Sequence, residues 1–100
     1  MDKVIRYVWD ETKRAENLRK HDIDFAEIAH FEWEHALEEE IVDDNEMRTK
    51  AIGPLGQRLL AVVIYTDRSN EDEIVLRIIS MRTVTRHERN AYVRQKENED

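Results

Sequence analysis

Cysteine is absent from the sequence, and proline and glycine are scarce, with one and two copies in 100 residues. Without thiols the chain can form neither a disulfide nor a thiolate metal site. The longest apolar run, residues 59–65, is far too short to span a bilayer, and the charged first twenty residues lack the apolar segment of a signal peptide. These absences predict a cytoplasmic protein without membrane association.

The apolar residues suffice for one core and concentrate in two places. They form 40% of the chain, with clusters over residues 59–65 and 74–79. One hundred residues are a usual length for one domain and too few for two independent cores. We therefore expect a single domain over residues 1–96 and a disordered acidic tail over residues 97–100.

The net charge of −7 is distributed unevenly along the chain. Residues 1–47 contain six basic and fifteen acidic side chains, whereas residues 48–96 contain ten basic and five acidic ones. Acidic proteins are poor ligands for nucleic acids, because surplus lysine and arginine drive phosphate binding. The second half, with a balance of +5, nevertheless predicts a surface that meets an anion.

The first part of the chain indicates a strand followed by two helices. Alternation over residues 3–9 predicts a short strand, and a surface helix is expected over residues 11–20. Asp24 and Glu27 have capping-box spacing, which predicts that a second helix starts at Phe25. The apolar stripe of this helix consists of Phe25, Ile28, Ala29 and Trp33.

The rest of the chain is rich in strand and turn signals. A short or edge strand is predicted within residues 36–44, and further strands over residues 48–53, 58–68 and 74–82. Thr85 and Glu88 open a last helix that extends towards Lys96. The predicted order is β-α-α, then a three- to four-stranded antiparallel meander with turns at residues 54–57 and 69–73, then a C-terminal helix. This order belongs to the α+β class.

Arg77 is the most informative residue, because it lies in the middle of an apolar strand segment. A charge there is costly unless that face is open or the guanidinium is paired. Arg77 could therefore pair with an acid on a neighbouring strand, or it could bind an anion. Strand alternation places Arg77 and Arg82 on opposite faces, so the two need a bulge or a strand end to share a site.

Further cations are predicted on or at the ends of the adjoining strands. They are Arg48, Lys50, Arg58 and Arg68. Guanidinium forks bind phosphate groups bidentately, so this set together with Arg77 and Arg82 predicts an anion site. Taken singly, each of these cations is better explained as a structural or solvated charge.

Histidine offers little evidence of a metal site. His21 ends the first predicted helix, where the helix dipole favours the imidazolium and a simple capping role is sufficient. His30 and Glu34 have a spacing that can ligate zinc, but no third ligand lies at a characteristic distance. We therefore expect neither a metal nor a cofactor.

Two ordered series of residues along most of the chain resemble a known family. The first consists of Tyr7-Val8-Trp9-Asp10, Lys13, Asn17, Lys20-His21, Ile23, Phe25 and Glu27. The second consists of Glu46, Arg48, Ile52-Gly53, Gly56, Arg58-Leu59-Leu60, Tyr65-Thr66, Arg68, Arg77-Ile78-Ile79-Ser80, Arg82, Glu88 and Tyr92. Together they are similar to the BrnT toxins of bacterial type II toxin–antitoxin pairs. Asp22 stands where that family usually has glycine, and aspartate tolerates a left-handed backbone better than most residues.

The resemblance implies both a fold and an activity. It implies a RelE-like ribonuclease fold, and RNA cleavage that inhibits translation and arrests growth. It also implies a cognate antitoxin, BrnA-like, with a ribbon-helix-helix DNA-binding domain. The toxin would then form either a homodimer or a 2:2 complex with that antitoxin.

Metal-independent RNA cleavage requires cations that stabilise the phosphorane, a base for the 2′-hydroxyl proton and an acid for the leaving 5′-oxygen. The cations expected at the phosphate are Arg77 and Arg82, helped by Arg48 or Arg68. Either Glu46 or His21 is expected to act as the base. Further substrate contacts are expected from Lys50, Arg58 and Arg68.

Two alternatives use the same arginines without chemistry. The arginines could bind an acidic surface of another protein in a pure interaction module. They could also bind RNA or DNA in a regulator that leaves the nucleic acid intact. Degradation of RNA on expression distinguishes the enzyme from both alternatives.

Overall fold

The computed structural model describes residues 4–57 and 59–99, so Arg58 lies outside the described residues. The strands are β1 (Ile5–Val8), β2 (Leu37–Asp43), β3 (Glu46–Leu55), β4 (Leu59–Asp67) and β5 (Ile74–Thr83). The helices are α1 (Glu11–His21) and α2 (Arg86–Glu97), with 3₁₀ helices over Phe25–His30 and Trp33–His35. None of the described helices is both long and apolar enough to cross a membrane.

The five strands form one mixed sheet in the order β1-β5-β4-β3-β2. Strands β2 to β5 form an antiparallel meander with β2 at its edge, which confirms the α+β class and the larger of the two predicted strand numbers. β1 adds to the meander in parallel beside β5, with Val8 opposite Arg77. The sequence identified β1 as a strand but not its partner, because parallel neighbours are joined through a long crossover connection.

The second predicted helix starts where expected but is wrong in type. A capping box on Asp24 begins a 3₁₀ helix rather than an α-helix. Its buried residues Phe25 and Ile28, with Phe31 directly after the helix, recur every three residues, which matches the 3₁₀ repeat of three residues per turn. Phe31 then leaves the helix in an extended conformation and forms a β-bridge with Leu55.

The turn predicted over residues 54–57 starts later, because β3 continues through Pro54 to Leu55. Proline is tolerated there because β2 does not extend alongside it, so no partner strand needs the missing N–H. The Glu32 N–H instead donates to the Pro54 carbonyl at 3.0 Å. Gly56 then turns the chain with a positive φ of 68°.

The main core lies between the sheet and the helical segments that join β1 to β2. Its members come from both sides of that interface and include Phe25, Ile28, Phe31, Ala51, Val63, Ile78 and Met81. All of them are less than 9% exposed, so the sheet is covered on this face. Any site that needs solvent access must therefore lie on the other face or at an edge.

Asn17 of α1 holds this helix against the part of β5 that β1 does not cover. Its side-chain amide donates to the carbonyls of Met81 and Ile23 at 2.9 and 3.0 Å, and its oxygen accepts from the Met81 N–H at 3.1 Å. The backbone N–H and carbonyl of Met81 are thereby satisfied without a sixth strand. Asp22 directly follows α1 as its C-cap and has a left-handed φ of 58°.

Candidate functional site

A β-bulge in β5 decides which side chains share a face of the sheet. Tyr65 of β4 pairs with Ile78, but the residue before it, Ile64, pairs with Ser80. Ile79 is therefore an extra residue on β5, opposite no residue of its own on β4. Beyond this point the alternation of the β5 side chains is inverted.

The inversion brings Arg77 and Arg82 to the same face. Thr66 lies opposite Arg77, and Val62 lies opposite Arg82. Thr66 and Val62 are four residues apart on β4 and so point to one side, and their β5 partners point with them. Simple alternation predicted opposite faces; the bulge satisfies the condition under which the two arginines can share a site.

Alternate residues of the neighbouring strands complete this surface, which we term the arginine face. It is defined by Arg6, Glu46, Arg48, Lys50, Thr66, Arg77 and Arg82, with Arg68 directly after β4. All predicted cations that the structure describes therefore lie together. Glu46, one of the two predicted bases, lies with them.

Arg77 is partly buried between Val8 of β1 and Thr66 of β4. Within residues 4–57 and 59–99, no hydrogen bond or ion pair engages its guanidinium. The pairing with a neighbouring acid that would make Arg77 a structural residue is thus not found in the described part of the chain. A partly desolvated cation without a counter-ion is well placed to receive an anion.

Glu88 of α2 neutralises two cations of the arginine face. Its Oε1 and Oε2 accept from Nη1 and Nη2 of Arg82 at 2.8 and 2.9 Å, and Oε2 lies 2.9 Å from Nζ of Lys50. The same carboxylate closes the capping box of α2 by accepting from the Thr85 N–H at 2.9 Å. Arg82 above all, then Thr85 and Lys50, hold the pKa of Glu88 well below its usual range, although burial opposes the shift.

Glu46 neutralises a second pair of cations at longer range. Its carboxylate oxygens lie 3.5 Å from Nη2 of Arg48 and 3.5 Å from Nη2 of Arg68. Arg48 is only 11% exposed and also donates to Asp43 at 2.6 Å. An open depression of about 350 Å³ is lined by Glu46, Arg48 and Arg68 together with Thr66.

His21 lies apart from the arginine face, although the sequence suggested it as a base. It ends α1 and lines a separate depression beside residues 79 and 80 of β5. The other side chains of that depression are Lys13, Glu16, Asn17 and Lys20. The structure therefore brings Glu46, and not His21, together with the predicted cations.

Sequence reasoning missed two features of this surface. Glu88 was recognised as a helix cap, but its ion pairs with Lys50 and Arg82 depend on distant strands that no local pattern reveals. The pair Arg6–Glu73, with nitrogen-to-oxygen distances of 3.2 and 3.1 Å, was also missed. The alternation of β1 predicts that Arg6 lies on the same face as Val8, but the pair with Glu73 depends on the neighbouring strand, which the sequence did not identify.

The described residues include one group that could hold a metal ion. Glu32, Glu34 and His35 are exposed, and their ligand atoms lie within 4.8 Å of one another. The distances from His35 Nε2 to the two carboxylates, 4.0 and 3.9 Å, are those of ion pairs that form when the imidazole is protonated. His30, which the zinc spacing suggested, is not in this group.

Comparison with known proteins gives one family. The family model described as ribonuclease toxin, BrnT, of type II toxin–antitoxin system matches residues 9–88. Among solved structures, the Brucella abortus ribonuclease toxin BrnT is similar, with 30% sequence identity and a TM-score of 0.64; the alignment covers 83% of this chain and 100% of that one. No curated protein sequence matches significantly. The matched segment includes the arginine face from β3 to Glu88.

Replacement of Glu88 by glutamine is expected to remove an acid-sensitive part of the stability. Because the pKa of Glu88 is lowered on folding, its contribution is complete above its ordinary pKa of 4.5 and is lost as the pH falls below that value. At neutral pH we expect Glu88→Gln to lower the free energy of unfolding by about 2 kcal/mol. The difference should shrink towards about pH 3, as measured by urea unfolding at several pH values.

Glu16→Gln is the matched control, because the side chain of Glu16 is exposed and makes no hydrogen bond or ion pair within the described residues. Its unfolding curves should follow those of the unmodified protein at every pH. If Glu88→Gln also follows them, the ion pairs of Glu88 contribute no net stability.

Proposed function

The chain belongs to the BrnT family of ribonuclease toxins of type II toxin–antitoxin systems, and from that premise we propose that its arginine face binds and cleaves the RNA backbone. The observation that supports this assignment is the guanidinium of Arg77, which is unpaired among the described residues. It is the strand cation of that face which no carboxylate of the described residues neutralises. A phosphate placed there gains a charge-assisted contact without first displacing a competing acid.

The surroundings of Arg77 suit a group that stabilises developing charge. Arg77 is partly buried and lies opposite Val8, so water screens its charge less than it screens the exposed cations of the helices. The sheet backbone positions Arg77 on two sides, through β1 and β4. A cation that is oriented before the reaction stabilises the phosphorane more effectively than one that must reorganise.

The proposed chemistry is transesterification within the RNA. The 2′-oxygen forms a bond to phosphorus while the bond from phosphorus to the 5′-oxygen breaks. A base accepts the 2′-hydroxyl proton, and a proton is delivered to the 5′-oxygen, which leaves as a hydroxyl. Arg77 stabilises the phosphorane, Arg48 and Arg68 add positive charge beside it without a metal ion, and Arg82 contributes positive charge farther along β5.

Glu46 is the better candidate for the base. It shares the arginine face and its depression with Arg48 and Arg68, where a phosphate would be held. An ionised carboxylate can accept the 2′-hydroxyl proton, and the two guanidiniums can orient it. Lys50 and Arg68 bind the flanking backbone, and Arg58 is assigned the same role from its place in the sequence.

A type II toxin implies an antitoxin, and we assign a BrnA-like ribbon-helix-helix protein to this role. The edge strand β2 and its turn carry acids at residues 38–40, 43 and 44, which suit a basic partner. A RelE-like fold, a 2:2 complex or homodimer, and a cytoplasmic location complete the proposal. An adjoining gene for a small basic protein with this motif would support it, and an unrelated neighbour would argue against it.

Arg77→Ala is expected to abolish RNA cleavage and growth arrest while the protein remains folded. Loss of one preorganised charge at the reacting phosphate typically costs about 100-fold or more in rate. The fold should survive, since the described residues make no polar contact with Arg77 that would be lost. RNA cleavage by the purified protein and thermal unfolding followed by circular dichroism measure the two effects.

Arg19→Ala is the matched control, because it removes the same charge from an exposed position of α1. It should cleave RNA at nearly the unmodified rate. A folded and active Arg77→Ala protein would contradict the assigned site. An unfolded one would show that Arg77 is needed for the structure instead.

Glu46→Gln is expected to lower the cleavage rate by about 100-fold and to flatten the acidic limb of the pH–rate profile, as loss of a general base does. His21→Gln is expected to change neither quantity, because His21 lies in a different depression. Single-turnover cleavage at several pH values measures both variants. The opposite result, with activity lost only in His21→Gln, would make His21 the base.

A further inference from the structure

Glu88 contacts its two cations in the geometry that a bound phosphate would have. The two carboxylate oxygens face the two terminal nitrogens of Arg82 in a fork, at 2.8 and 2.9 Å. The ammonium of Lys50 approaches one of these oxygens at 2.9 Å. Bidentate guanidinium contact supplemented by a lysine is a recurrent way of holding a phosphodiester. The carboxylate is 12% exposed, so it fills the place between the two cations.

The segment that carries Glu88 is held to the sheet by few contacts. None of the α2 residues is buried. Besides the contacts of Glu88, the described hydrogen bond between α2 and the rest of the fold runs from the Tyr92 hydroxyl to the His35 carbonyl, at 2.8 Å. A cavity of about 370 Å³ lies between Tyr92 and the sheet residues Leu37, Lys50 and Ile52. Displacement of the start of α2 would therefore expose little of the core.

We propose that Arg82 and Lys50 form a second RNA-phosphate subsite, which Glu88 occupies in the free protein. An RNA backbone that contacts Arg77 continues along β5 to this subsite and displaces the carboxylate. Arg77 and Arg82 lie on one face, opposite residues four apart on β4, which corresponds to about 13 Å along the strand. The inference rests on the proposed function in one respect, since it requires RNA on the arginine face.

The displacement has a definite electrostatic consequence. With Glu88 in place, the group of Arg82, Lys50 and Glu88 carries one net positive charge. With Glu88 displaced, it offers two. RNA therefore binds the free protein more weakly and with a smaller salt dependence than the count of cations on the face predicts. α2 thereby limits the affinity of the toxin for RNA.

Glu88→Gln tests this subsite directly. Glutamine can still close a capping box, so α2 keeps its N-terminal cap while the competing charge is lost. The probe is a fluorescein-labelled 2′-O-methyl RNA, which cannot be cleaved through its 2′-oxygen. The variant should bind this probe roughly tenfold more tightly, as one released charge-assisted contact would give. The slope of log K against log salt should steepen by about 0.7 to 0.9.

Two further variants separate charge from position. Glu16→Gln changes the net charge equally on α1 and should leave the binding constant unchanged. Arg82→Gln in the Glu88→Gln background should remove the gain, because the subsite then lacks its fork. Tyr92→Phe loosens the other attachment of α2 and should also tighten binding without altering any charge.

Failure of the masked subsite can be distinguished from failure of the proposed function. If Arg77→Ala weakens binding while Glu88→Gln binds no more tightly than Glu16→Gln, RNA lies on the arginine face but the masked subsite is wrong. Weaker binding by Glu88→Gln would also overturn it, and would make Glu88 a residue that orients Arg82. If Arg77→Ala binds the probe unchanged, the proposed function itself fails.

Discussion

The β-bulge at Ile79 is the constraint on which the candidate site depends. Without the extra residue, β5 would place Arg77 and Arg82 on opposite faces, and one of the two would point into the apolar core. Bulges increase twist and redirect side chains at low cost, and they are common beside active sites. Here the bulge allows one strand to contribute both buried apolar residues, such as Ile78 and Met81, and cations aligned on the opposite face.

The arginine face carries many cations, and carboxylates of the same protein neutralise nearly all of them. Among the described residues, five carboxylates lie within ion-pair distance of the strand cations around Arg77, namely those of Glu39, Asp43, Glu46, Glu73 and Glu88. Unpaired charges crowded on one sheet face would repel each other, so such pairing stabilises the free protein. It also leaves Arg77 as a strand cation of this face without a carboxylate partner among the described residues. The net charge of −7 is therefore compatible with a ribonuclease, because the local arrangement and not the total decides where a phosphate can bind.

The fold was predictable wherever a local pattern determines structure. The capping boxes at Asp24 and Thr85 marked true helix starts, and alternation located the meander strands. The 3₁₀ geometry after Asp24 was missed, because a three-residue and a 3.6-residue apolar repeat are hard to distinguish over six residues. The position of β1 beside β5 was beyond local patterns for a different reason: it is decided by contacts between distant segments.

In the candidate site, too, local patterns predicted some features and contacts between distant segments decided the others. The sequence singled out Arg77 because a charge inside an apolar strand is costly unless it has a role. The sequence also predicted that Arg82 could share its site only through a bulge or a strand end. It could not reveal that Glu88 of α2 reaches Lys50 and Arg82, since that contact requires the register of three strands and the path of the last helix. Local rules therefore found the cations, and only tertiary structure revealed their counter-ions.

The most direct test is to measure which arginine side chains contact RNA. In an NMR titration of the arginine side-chain Nε–H groups with an uncleavable 2′-O-methyl RNA, the Arg77 signal should show the largest change, followed by those of Arg48 and Arg82. The signals of Arg14 and Arg19 on α1 should remain in place. An unchanged Arg77 signal together with shifts on α1 would place the RNA elsewhere and contradict the central claim.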